Sequence, residues 1–290
     1  MLRRHPLAAF FALSYALSWF LWSPLWLPTF GFDRLPILPY HHALGALGPI
    51  TAALLISAKE GNGRGPRDLL SRMVAWRGRL AWVGVGLLAP FALLLVAALA
   101  ALVVTGAPVP LGEIGRSREF PEFSALGFLL YNVISFGYGE EVGWRGFALP
   151  RLQTNRSALA ATLLLSVGWA LWHAPLFLYR PGYLGMGLTG AAAWFVSLLT
   201  GAVLLTWLYN ESRGSLLVVS LFHASVDVAF TSDISSDFVV NAAGALITVS
   251  GIIVFLVTGP RYLSRKGKMV RLAQGATTSF AEREEKPPTA

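Results

Sequence analysis

The stretch AWVGVGLLAPFALLLVAALAALVV, residues 81–104, carries no charged side chain along its whole length. As a helix rising 1.5 Å per residue it reaches about 36 Å, enough to cross a hydrocarbon core of about 30 Å. Working outward, apolar stretches of similar or nearly similar length recur at 7–27, 41–58, 124–152, 158–178, 188–209, 215–231 and 238–259. In lipid the backbone polar groups must be satisfied within each segment, so such stretches read as helices. The expected fold is all-α: a polytopic membrane protein of about eight transmembrane helices, forming a single integral-membrane domain over residues 1–260. The first stretch follows Arg3 and Arg4, as in a secretory signal. It is nevertheless long and shows no small-x-small cleavage site before Pro28, so it is read as an uncleaved helix.

Composition agrees. Over 290 residues, 55% are hydrophobic, 13% are charged and the mean hydropathy is +0.59. A soluble globule needs about a quarter of its residues charged. Ten Trp, eight Tyr and eighteen Phe suit a chain with aromatic belts at the lipid interfaces. The absence of cysteine excludes disulfide scaffolds, thiolate metal sites and cysteine nucleophiles. The +8 net charge does not indicate nucleic acid, because the basic residues sit between apolar runs rather than on a soluble domain.

Those basic residues set an orientation. With the N-terminus cytoplasmic, the inside segments carry nineteen Lys and Arg, while the outside loops carry four: Arg34, Arg116, Arg118 and Arg180. This positive-inside bias predicts cytoplasmic ends, in what the Arg-rich, Ala- and Gly-rich composition suggests is a bacterial plasma membrane. Residues 64–80 space Leu69, Met73, Trp76 and Leu80 as a helix would, among Arg67, Arg72, Arg77 and Arg79. They are expected to lie in the cytoplasmic interface. The tail 261–290 opens with Arg261, Arg265, Lys266, Lys268 and Arg271, a pattern that attracts anionic headgroups. Its polar end, through Lys286-Pro287-Pro288, is expected to be disordered.

Ionisable groups inside a bilayer need an account. Three clusters stand out: Glu140-Glu141-Val-Gly-Trp-Arg145, Trp169 to His173, and His223 to Asp227. Measured up each helix from its cytoplasmic end at 1.5 Å per residue, Glu140 lies at ~20 Å, His173 at ~22 Å, His223 at ~14 Å and Asp227 at ~20 Å. Costly groups on three helices thus share a depth, provided the fourth helix does not break at Gly137 or Gly139. Glu141 and Arg145 are i,i+4 in the favourable order for an ion pair. Glu140 points about 100° away and is left without that partner, which suits a general base. Trp169 shares a face with His173 and could wall the site; Asp227 shares one with His223 and could orient its ring. His5, His41 and His42 sit near interfaces and are given no role.

A carboxylate and two imidazoles suffice to activate water and hold an oxyanion, directly or around a metal. Other protease designs are absent: no Gly-x-Ser-x-Gly, no His-Glu-x-x-His helix, and one intramembrane Asp where an aspartyl dyad needs two. No internal repeat is found, which counts against an inverted-repeat transporter.

The ordered trio Glu140-Glu141-x-x-x-Arg145, Trp169-x-x-x-His173 and His223-x-x-x-Asp227 resembles the motifs of the CPBP family. That family joins the Rce1-like CAAX prenyl endopeptidases to the bacteriocin-processing and self-immunity proteins of the Abi group. The resemblance implies an eight-helix intramembrane endopeptidase. Glu140 and His173 would activate the water, His223 would serve the oxyanion, and Glu141 and Arg145 would support them. It also implies a cleavage site near the centre of the bilayer or its cytoplasmic half. Trp169 stands where Phe is common, and Asp227 where Asn is common; an ionised Asp accepts but cannot donate. Glu140, His173 and His223 are also zinc-ligand types. The reading is that no metal is strictly required, with zinc or another divalent ion as the alternative. The expected partners are a peptide or membrane-protein substrate and the bilayer. A silent immunity or scaffold protein and a proton-coupled transporter are the rival functions.

Overall fold

The computed structural model describes residues 4–60, 64–76, 79–234, 236–271 and 277–279. Arg3, Arg77 and the end of the tail, Lys286-Pro287-Pro288 included, lie outside the described residues. The helices are α1 (Pro6–Leu21), α2 (His41–Glu60), α3 (Arg64–Met73), α4 (Leu80–Thr105), α5 (125–152), α6 (Ala158–Trp172), α7 (Gly187–Glu211), α8 (Leu216–Thr231) and α9 (Asp237–Thr258). The fold is all-α apart from one addition that the apolar pattern does not signal. Strand β1 (Met269–Arg271) pairs antiparallel with β2 (Thr277–Ser279), Met269 opposite Ser279.

Among the described residues five helical stretches are long and apolar enough to cross a membrane, and six if the bent pair Pro6–Leu21 and Ser23–Phe30 is one span. The expected eight is not reached on that criterion. Helix α8 has only 16 residues, and α5 alternates α and π turns around three charged side chains. The first span is also not straight. It bends by 55° next to Pro24, whose ring has no N–H to donate and collides with the preceding turn.

Each motif-bearing helix begins on a serine that caps its free N–H groups. Ser124 accepts from Gly127 N, Ser157 from Ala160 N and Ser215 from Val218 N, so α5, α6 and α8 start at defined positions. Helix α5 runs on unbroken through Gly137 and Gly139, as two π segments, Val133–Tyr138 and Val142–Ala148, around Gly139–Glu141. Such π turns often occur at functional sites. Two glycines let neighbours close on it. A Cβ at Gly137 would stand 2.6 Å from the Ser220 carbonyl of α8, and one at Gly143 would stand 2.6 Å from Pro49 of α2.

Below the motif the helices close on an aromatic core in which Phe10 stacks on Phe147 at 5.0 Å and meets Trp144 edge-on at 5.3 Å. The basic segments form one face beyond this core. Arg79 Nε donates to Ser212 O, Ser215 Oγ to Ala75 O, and Lys268 Nζ to Arg156 O. Helix α3 covers only Arg64–Met73 of the expected 64–80. Its Leu69 is buried in the protein core rather than facing lipid, and Met73 packs there too. Arg72 likewise turns inward, donating to Tyr209 Oη at 2.8 Å and Gly146 O at 3.1 Å. The first tail residues also pack on the protein, with Leu263, Met269 and Val270 buried.

Candidate active site

Trp169 and His173 occupy the last turn of α6, which Pro175 stops from continuing as regular helix. The carbonyls of such a turn lack intrahelical partners. The Trp169 carbonyl takes the His173 backbone N–H at 3.3 Å and, at 2.7 Å, the ring Nδ1. A carbonyl only accepts, so His173 Nδ1 carries the proton and the neutral ring presents an Nε2 lone pair. The other end of Trp169 faces α5: its indole Nε1 donates to Glu140 Oε2 at 2.7 Å. One tryptophan therefore holds both groups that the sequence marks for water activation. Its role goes beyond the wall that helical spacing suggests.

Glu141 faces elsewhere. Its Oε1 accepts from Arg145 Nη1 at 2.8 Å and meets His223 Nδ1 at 2.7 Å. Arg145 lies over the Trp169 ring, 4.5 Å from its centroid. The i,i+4 spacing suggests Asp227 as the partner that orients His223. The structure instead puts Glu141 in hydrogen-bond contact with that ring, and Asp227 Oδ2 3.8 Å from the opposite nitrogen, Nε2. Glu140, Glu141, Arg145, His173 and His223 are all buried.

Glu140, His173, His223 and Asp227 line one cavity of about 150 Å³. Beside them stand residues the sequence does not mark: His42, Asn132, Arg180 and Tyr183. The His42 ring stacks on Trp22 and bonds Tyr179 Oη through Nδ1 at 2.7 Å. Asn132 is buried and donates to Phe128 O at 2.8 Å. The signal for His42 was its place at the head of an apolar stretch, which an interfacial histidine shares. A second, apolar cavity of about 400 Å³ meets the first at His173, Tyr183, His223 and Asp227 and runs between α7, α8 and α9.

The zinc-type candidates Glu140, His173 and His223 do not come together as a ligand set. Among the described residues no three His, Asp or Glu side chains are grouped to hold a metal ion. Both Nδ1 atoms are engaged by other partners, as is one Glu140 oxygen.

Residues 122–229 match the family model described as "Type II CAAX prenyl endopeptidase Rce1-like". The matched segment contains all three motifs and the four cavity-lining groups. The segment that carries the three motifs is thus similar to Rce1-like endopeptidases. A protein named CAAX prenyl protease 2, from Methanococcus maripaludis, is 25% identical over 189 residues, covering 63% of this chain and 69% of that protein. The family that this segment resembles is one of proteases, and helices long and apolar enough to cross a membrane surround the segment.

Proposed function

We propose that the chain is an intramembrane endopeptidase in which Glu140 and His173 activate one water. The observation that carries this is Trp169 bonding both: its indole to the Glu140 carboxylate and its carbonyl to His173 Nδ1. Glu140 forms no ion pair among the described residues, so its free oxygen is available to take a proton from water in the cavity. The His173 Nε2 lone pair accepts the water's other O–H and aligns the oxygen for attack on the scissile carbonyl.

As the tetrahedral intermediate forms, charge develops on the carbonyl oxygen and needs a donor. His223 supplies one when doubly protonated, with Nδ1–H on Glu141 and Nε2–H directed into the cavity beside Asp227. Arg145 holds the Glu141 carboxylate and so fixes the imidazole. The proton gained by Glu140 then passes to the leaving amine. No step requires a metal, and activity is expected to survive zinc chelators.

The test is turnover by purified protein in proteoliposomes, on a panel of quenched-fluorescence peptides with and without an attached lipid chain. Cleavage by the wild type, lost in a folded His173→Ala variant, supports the proposal. A function that persists unchanged in that variant contradicts it and favours a silent immunity or scaffold protein.

A further inference from the structure

A groove of about 700 Å³ runs along the seam between α1 and α2, and shares no lining residue with the catalytic cavity. The two helices are antiparallel. Ser18 Oγ donates to Gly45 O at 2.7 Å towards one end of the pair, while at the other end His5 and Lys59 both line the groove.

Small side chains make the space. Ala8, Ala12 and Ala16 recur at i, i+4 and i+8, so they share an exposed face of α1, and Leu55 and Ile56 of α2 stand against them. The next residue in that row is Phe20, which is 75% exposed and does not line the groove. From the start of α1 to Ala16 the groove covers ten residue steps, about 15 Å. That is half of a hydrocarbon core of about 30 Å, the depth of a single leaflet.

This length separates two kinds of occupant. A transmembrane helix from a second copy packs closely where small residues continue across the bilayer. Here the row of alanines gives way to Phe20 halfway. A single acyl chain needs only one leaflet's depth.

The polar end sets the headgroup. Lys59 brings an ammonium and His5 a ring N–H donor, and the exposed Arg4 precedes them. His5 is the N-cap of α1 but makes no side-chain capping bond, and the helix N-terminus adds partial positive charge. Among the described residues no Asp or Glu lines the groove. The neighbouring acid, Glu60, is held by Arg151 Nη2 at 2.5 Å.

We propose that the groove binds an anionic phospholipid, with one acyl chain along Ala8, Ala12 and Ala16 and the phosphate at Lys59 and His5. Charge-assisted hydrogen bonds from both side chains hold the phosphate oxygens. The site stands apart from the peptidase reading, since none of its residues reaches the catalytic cavity.

The test is native mass spectrometry of the full chain, titrated in detergent with phosphatidylglycerol or with phosphatidylcholine of the same acyl chains. Phosphatidylglycerol is expected to be retained at about fivefold lower concentration. Lys59→Gln removes that preference and Lys59→Arg restores it. Ala12→Leu fills the groove and lowers phosphatidylglycerol retention with every charge in place. Arg67→Gln, exposed on α3 and outside the groove, removes the same charge and leaves retention unchanged. Equal retention of the two lipids overturns the proposal, as does undiminished phosphatidylglycerol retention in Lys59→Gln or in Ala12→Leu. Equal loss in Arg67→Gln and Lys59→Gln reduces the effect to net charge and overturns it as well. The chain has no cysteine, so Ala12→Cys tests the rival occupant without background. A disulfide-linked dimer formed by mild oxidation in proteoliposomes would place a second copy on the groove and contradict the lipid; a monomer supports it. No arm of the test depends on turnover.

Discussion

The indole Nε1 of Trp169 lies 2.7 Å from Glu140 Oε2, joining the last turn of α6 to the motif of α5. It is the donor the structure assigns to the carboxylate, and the same residue's carbonyl bonds His173. The tryptophan thereby spaces base and imidazole across one cavity.

Trp169→Phe keeps the aromatic wall and removes the donor. A buried acceptor left unpaired costs about 1–3 kcal/mol. If that cost falls on the activated carboxylate, kcat drops by about 10- to 100-fold. KM is expected to change little. Steady-state kinetics on a peptide substrate check this, and a kcat within twofold of wild type would contradict it.

The Glu141–Arg145 pair is fully buried. Removing one partner strands a charge and costs about 3–5 kcal/mol, whereas replacing both with apolar groups is often nearly neutral. Thermal unfolding in detergent is therefore expected to show Glu141→Leu and Arg145→Met each strongly destabilised and the double variant recovered. Activity is expected to stay low in all three: Glu141→Leu and the double variant remove the Nδ1 partner of His223, and Arg145→Met releases the carboxylate that holds that ring.

Gly137→Ala drives a methyl group into the Ser220 carbonyl, whereas Gly84 of α4 faces open space. Overpacking costs about 1–3 kcal/mol. The expected result is a lower melting temperature and reduced cleavage for Gly137→Ala, with Gly84→Ala indistinguishable from wild type or slightly more stable.

Asp227 stands 3.8 Å from His223 Nε2, near enough to steer the ring but too far to hydrogen-bond it. Asp227→Asn adds an amide donor on the cavity wall. Cleavage is expected to stay within about tenfold of wild type with an altered pH profile, while Asp227→Leu loses more. Equal loss in both would assign Asp227 a charge-dependent role instead.

Much of this was legible in the chain itself. Charge-free runs such as 81–104 announce membrane helices, and the polar residues inside other runs mark α5, α6 and α8 as the elements that meet. Partner choice was not legible. Spacing along one helix offers His223 only Asp227; contact across helices gives it Glu141. Arg72 reads as an interfacial cation, yet it turns inward because the Tyr209 hydroxyl and the Gly146 carbonyl are there to receive it. His42 reaches the cavity because the first span bends near Pro24, and its ring lies on Trp22 at that bend. The shorter count of long apolar helices has the same origin: charges and π turns in α5 interrupt the regularity that a hydropathy window rewards.

The most direct test is the rate of peptide cleavage by Glu140→Gln, with circular dichroism and thermal unfolding verifying that the variant still folds. The substitution keeps shape and an acceptor oxygen for Trp169 but removes the base. A fall in kcat of about 10³-fold with the fold retained is the result expected of a general base. Cleavage at the wild-type rate by the folded variant would contradict the account.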